Sequence, residues 1–153
     1  MVGVATAAAI QSIVMRQARL LVCEDSLPAR DEVRFSLRRT NHIIIAEAQR
    51  RRDALTALRS FRFDVVLLDA NLDHPERNGS DGHAIWAEIG KLSVRPYVVG
   101  ISTNELRGYG LAIPDQYDLT KDRLALLPQV LESLPELVSA SVPQPRVRPG
   151  EYA

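Results

Sequence analysis

The chain has 153 residues, enough for one domain with a substantial core and too few for a second folded unit of ordinary size. Nineteen basic residues balance nineteen acidic ones, which excludes a global field drawing the chain to nucleic acid or to an anionic membrane. The single cysteine, Cys23, excludes an internal disulfide framework, reads as a small buried hydrophobe and fits a reducing, cytoplasmic setting.

Residues 1–14 are apolar and uncharged. They lack a basic stretch ahead of the apolar part and are too short to span a bilayer, so a signal peptide and a membrane anchor are both rejected. Two readings stay open: translation from Met15, or an added helix with Ile10, Ile13 and Val14 on one side. The chain thus divides into an extension over 1–17, a domain over 18–136 and a Pro- and Ser-rich tail over 137–153 that is expected to be disordered.

The first predicted strand, Leu20-Leu21-Val22-Cys23, runs into Glu24-Asp25. Ser26 then caps a helix with Pro28 in its first turn, where a missing N–H costs nothing. Ala29, Val33 and Leu37 give that helix one buried stripe, with Arg30, Arg34, Arg38 and Arg39 turned to water. His42 to Ala48 is the second strand, and Leu55, Leu58 and Phe61 mark the next helix. The apolar run from Phe63 to Leu68 suits a strand buried on both faces, and it ends abruptly on Asp69.

A polar stretch from Asn71 to Gly82 follows, expected as a long surface loop over 72–81. Its Asp73, His74, Glu76 and Asp81, with His83 beyond, fit no metal-ligand spacing and read as solvated. Helix character resumes at Gly82-His83, with Ile85, Ile89 and Leu92 on one face and Trp86 beside it. Pro96 opens a fourth strand, Tyr97 to Ile101, that runs into Ser102-Thr103. Gly108 and Gly110 weaken the helix due next and Pro114 ends it, so a short element is predicted there. Gln116 to Leu119 is the fifth and poorest strand, and Leu124, Leu127, Leu131 and Leu134 line a last helix interrupted or initiated by Pro128.

Five βα units in alternation predict a parallel sheet with helices on both faces and right-handed crossovers. In such a sheet the carboxyl ends of neighbouring strands open on one crevice, where Glu24, Asp25, Asp69, Ser102 and Lys121 can converge. Crowded carboxylates call for a hard divalent cation, and Mg²⁺ favours one or two carboxylates plus phosphate. A carboxylate can also accept a phosphoryl group as nucleophile if the transferred charge is neutralised on all sides. On this reading Asp69 attacks, Asp25 and Glu24 hold Mg²⁺, and Lys121, one of only two lysines, pairs with a phosphoryl oxygen while Ser102 donates to another. Ser102 has a second reading, because Ser102-Thr103-Asn104-Glu105 matches a capping box.

The acid pair Glu24-Asp25, the lone Asp69 closing Asp64-Val65-Val66-Leu67-Leu68-Asp69, the hydroxyl of Ser102 and Asp118-Leu119-Thr120-Lys121 together resemble a response-regulator receiver domain over about Arg19 to Leu134. The resemblance implies a flavodoxin-like α/β fold with a doubly wound five-stranded parallel sheet in the order 2-1-3-4-5. It implies a two-component or phosphorelay signalling role, with a histidine kinase or histidine phosphotransfer protein as phosphoryl donor, Mg²⁺ as cofactor and the backbone carbonyl of Asn71 as a further metal ligand. The chain would then be a phospho-acceptor rather than a turnover enzyme, signalling through protein contacts to a downstream protein, with no appended DNA-binding domain and with dimerisation left open.

Four departures from the family pattern are also legible. The loop after Asp69 is longer, the aromatic position three before Lys121 holds Asp118 with Tyr117 one residue off, Asp122 stands where Pro usually follows the lysine, and the span from Ser102 to Lys121 is short. They motivate an alternative, a receiver-like protein-binding module that is not phosphorylated. An aspartate-nucleophile phosphatase ranks last, since it needs an acid two residues after the nucleophile and Asn71 stands there.

Overall fold

In the computed structural model, residues 17–72, 77–114 and 117–135 are described. The expectations for the N-terminal extension, for Asp73, His74 and Glu76, and for the C-terminal tail lie outside them. Strand β1 (Arg19–Cys23) pairs in parallel with β2 (Ile43–Ala48) on one side and with β3 (Val65–Leu68) on the other, and β3 pairs in parallel with β4 (Tyr97–Gly100). The order is β2-β1-β3-β4. Three helices fill the crossovers or follow them: α1 (Leu27–Leu37), α2 (Arg51–Ser60) and α3 (Ser80–Gly90). A 3₁₀ turn (Leu106–Tyr109), a second one (Lys121–Leu126) and α4 (Leu127–Ser133) complete the layers.

Of the predicted fifth strand, Gln116 lies outside the described residues, and the described part forms one bridge. Asp118 pairs in parallel with Gly100, and the Leu119 and Lys121 N–H groups donate to the carbonyls of Gly100 (2.9 Å) and Ser102 (2.9 Å). Those two bonds have the residue spacing of a parallel ladder, so the segment lies where a fifth strand belongs. It stops being a strand because Thr120 turns to φ 58°, ψ 165°, backbone that a β-branched residue occupies only at a cost of about 1–3 kcal/mol. The order 2-1-3-4-5 therefore stands as a placement, with a four-stranded ladder and a bridged fifth segment.

Strands β1, β3 and β4 are buried on both faces because each face carries its own core, whereas β2, at the sheet edge, is buried fully only at Ala48. Leu21, Cys23, Val66, Leu68 and Val98 meet Ala54 and Leu58 of α2 and Ile85 and Ile89 of α3. Leu20, Val22, Val65, Leu67, Val99 and Ile101 meet Ala29, Val33 and Leu37 of α1 and Leu124, Leu127 and Leu131 on the last helical stretch. Ser26 is the N-cap of α1, accepting from the Ala29 N–H at 3.4 Å, with Pro28 in the first turn as predicted. Pro128 likewise lies in the first turn of α4, so it initiates that helix. No described helix is long and apolar enough to cross a membrane.

Three local expectations are corrected. Arg30 is buried, not turned to water, and its Nη1 donates to the backbone carbonyls of Glu24 (3.0 Å) and Asp25 (3.1 Å). Helix α3 begins at Ser80, two residues early, and Leu72 and Asp81 are buried where a solvated loop was expected. Asp81 is held by Arg51 of α2 at 2.9 Å and accepts the Leu72 N–H at 2.9 Å, while the His83 ring bonds the Tyr109 carbonyl.

Candidate functional site at the carboxyl ends of the strands

The register brings the strand ends level. Cys23 stands opposite Leu68, Leu68 opposite Gly100, and Gly100 opposite Asp118. The residues just past those positions, Glu24-Asp25, Asp69, Ser102 and Lys121, therefore emerge side by side on one edge. Asp69 itself is anchored by its N–H, which donates to the Cys23 carbonyl at 2.9 Å.

The Asp69 carboxylate is 1% exposed and contacted on both oxygens. Its Oδ1 accepts from the Ser102 hydroxyl at 3.0 Å and from the Asn71 N–H at 3.0 Å. Its Oδ2 accepts from Lys121 Nζ at 2.8 Å. The Ser102 Oγ in turn accepts the buried Ala70 N–H at 2.7 Å, so its donor direction is fixed toward Asp69. The capping-box reading of Ser102 is not realised: no α-helix starts there, and Glu105, the acid of the would-be box, pairs instead with Arg107 at 2.6 Å.

Glu24 is fully buried. Its Oε1 accepts from the Ser26 N–H (3.0 Å) and from Lys121 Nζ (3.2 Å), whereas Oε2 has no hydrogen-bond partner among the described residues. Burial, then the charge of Asp69, push its carboxyl up to about 8, against the lowering pull of the Ser26 N–H and Lys121. Burial disfavours the charge on Lys121, but its hydrogen bond to Asp69 and the attraction of Asp69 and Glu24 outweigh that and raise its pKa.

Carboxylate oxygens of Glu24, Asp25 and Asp69 lie within 4.8 Å of one another. The set fits a divalent cation on its chemistry, because hard oxygens from three carboxylates converge and the buried Glu24 Oε2 lacks a partner that a cation would supply. Asn71 is buried beside them, its side-chain oxygen accepting the Gly79 N–H at 2.9 Å, which ties the end of the loop to its start. Glu24, Asp25, Asp69, Asn71, Ser102 and Lys121 thus meet at one edge.

Sequence reasoning missed Arg30, which steadies the backbone of the acid pair, and Thr120, whose backbone turn aims Lys121. Arg30 was discoverable as the residue bordering the Ala29–Val33–Leu37 stripe directly under Glu24-Asp25. It was misread because a charged residue at that border is usually solvated. Nothing in the local sequence marks Thr120.

No family model matches the chain, and no curated protein matches it by sequence. Solved structures do. A DNA-binding response regulator of the LuxR family from Staphylococcus aureus superposes with a TM-score of 0.61 at 18% identity, over 75% of this chain and 96% of that one. The Mn²⁺-bound form of response regulator Rcp1 gives 0.59 at 20% identity, over 80% of this chain and 97% of that one. Response regulator PhyR from Brucella abortus gives 0.59 at 20% identity, over 85% of this chain but 54% of that one. Parallel strands in this order, with acids, a hydroxyl and a lysine on one edge and these structures as neighbours, give the chain the fold of a response-regulator receiver domain.

Proposed function

We propose that the chain is a phospho-accepting receiver in which Asp69 takes a phosphoryl group from a histidine kinase or histidine phosphotransfer protein. The observation that carries this is the clamp on Asp69: a hydroxyl and an N–H on one oxygen, an ammonium on the other, and two further acids within reach. A carboxylate so placed attacks phosphorus, forming an Asp69 O–P bond as the P–N bond to the donor's histidine breaks, the electron pair leaving with the imidazole nitrogen. Charge spreads over the phosphoryl oxygens, and stabilising it is most of the catalysis. Lys121 and Ser102 are positioned to move from the carboxylate to those oxygens, because both are already bonded to it.

A Mg²⁺ ion held by Glu24, Asp25 and Asp69, with the Asn71 carbonyl as a further ligand, would neutralise the phosphoryl charge from the acid side. The phosphorylated form would be read by a downstream protein, since the charge change sits against segments that reach the surface. The experiment is incubation of the protein with Mg²⁺ and acetyl phosphate, followed by intact mass. The expected outcome is an acid-labile gain of one phosphoryl group that Asp69→Asn abolishes. A second reading, a binding module that is never phosphorylated, is favoured by the buried Asp118 at the position where an aromatic is usual. No mass gain with acetyl phosphate or with a phosphorylated histidine donor would select that reading instead.

A further inference from the structure

The backbone just past Asp69 is held in part from another helix. Arg51, the first residue of α2, donates from Nε to Asp81 Oδ1 at 2.9 Å and from Nη2 to the Ser80 hydroxyl oxygen at 3.0 Å, at the start of α3. The other Asp81 oxygen, Oδ2, accepts the Leu72 N–H at 2.9 Å. Asp81 is buried, whereas the Arg51 side chain is 40% exposed and belongs to neither core, so replacing Arg51 leaves both cores intact. The Ala70–Leu72 backbone is pinned by the Ala70 N–H on Ser102, the Ala70 carbonyl on the Gly82 N–H, the Asn71 N–H on Asp69 and the Leu72 N–H on Asp81. The Asn71 carbonyl lies among these and accepts from no described residue.

We infer that Arg51 is a positioning residue for the cation site: through Asp81 it fixes the peptide plane between Asn71 and Leu72, and with it the direction of the Asn71 carbonyl. The inference rests on the cation reading proposed above, in which that carbonyl is a ligand. The Leu72 N–H and the Asn71 carbonyl belong to one planar trans peptide unit, so a bond that fixes the N–H also fixes the carbonyl, pointing the opposite way. An acid can hold that N–H only if it is itself held. A buried carboxylate is costly without a partner, and Arg51 supplies the counter-charge while its second bond, to Ser80, fixes the guanidinium. Charge and position act with opposite signs here. Arg51 is a cation near a cation site, so by its field alone its removal strengthens Mg²⁺ binding, whereas by position its removal weakens it.

The test is calorimetric titration of the full chain with Mg²⁺ and no phosphoryl donor, paired with amide exchange in the absence of Mg²⁺. Arg51→Met should weaken Mg²⁺ binding about tenfold, the usual order of effect for a group that orients a metal ligand. Arg51→Lys, which keeps the charge and gives up the fork to Asp81 and Ser80, should weaken it too. In an Asp81→Asn background Arg51→Met should make no further difference, because its route runs through Asp81. The Leu72 N–H should lose protection in Arg51→Met while the β1 and β3 amides keep theirs; a general loss of stability would speed all of them. Unchanged or tighter Mg²⁺ binding in Arg51→Met overturns the inference and leaves the cation reading standing. A further loss in the Asp81→Asn background overturns the route through Asp81. If the parent binds no Mg²⁺, the cation reading falls and this inference with it. Should Arg51→Met fail to fold, Arg51→Lys decides by the same titration, and parent-like affinity there overturns the inference.

Discussion

At the scale of single residues, the site is built on groups with two jobs. Ser102 donates to Asp69 and accepts from the Ala70 N–H, and it is completely buried. Ser102→Ala therefore removes the hydroxyl bonded to Asp69 and also strands the Ala70 N–H, a loss of about 1–3 kcal/mol by the usual cost of a buried unmade bond. Urea unfolding should show that loss, and Ser102→Thr, which keeps the hydroxyl, should recover most of it. The residue identities were legible in the sequence because acids and a lysine directly after apolar runs are unusual. The division of labour was not, since the Ala70 and Asn71 N–H groups that share the work belong to the backbone and leave no mark on composition.

Among elements, the decisive joint is where β3 hands over to α3. Gly82 lies in the first turn of α3, its N–H donating to the Ala70 carbonyl at 3.0 Å, and a Cβ there would come within 2.9 Å of the Ala70 Cα. Two effects oppose each other in Gly82→Ala. Helix propensity favours alanine by about 1 kcal/mol, whereas forcing backbone from backbone beside Asp69 costs about 1–3 kcal/mol. Overpacking wins, so Gly82→Ala should melt lower than the parent in thermal unfolding and accept phosphoryl groups more slowly from acetyl phosphate. The loop before this joint is closed by Asn71 to Gly79 and by Leu72 to Asp81 to Arg51, pairings between residues 8 to 30 positions apart. Sequence reading took these residues for solvated loop because turn-forming composition does not reveal which polar side chains will find a buried N–H.

For the whole molecule, three acids on one edge with a single lysine among them set the electrostatics. A cation that binds only the folded chain stabilises it in proportion to the logarithm of its concentration, about 2.7 kcal/mol at one hundred times its Kd. Adding Mg²⁺ should raise the melting temperature in differential scanning calorimetry, with Asp25→Asn and Asp69→Asn each suppressing the rise; an equal rise in all three proteins would remove the acid cluster as the binding place. The sequence by itself determined the alternation of strands and helices, the parallel sheet and the set Glu24, Asp25, Asp69, Ser102 and Lys121, because hydrophobic period and abrupt polar ends are local properties. Only the tertiary structure decided that Ser102 bonds Asp69 rather than capping a helix, that Arg30 turns inward, that the fifth segment bridges at Asp118, and that Asp118 clasps Leu106. Each of those depends on which backbone group lies opposite a side chain across a strand or turn boundary, and that pairing comes into being when the strands set their register.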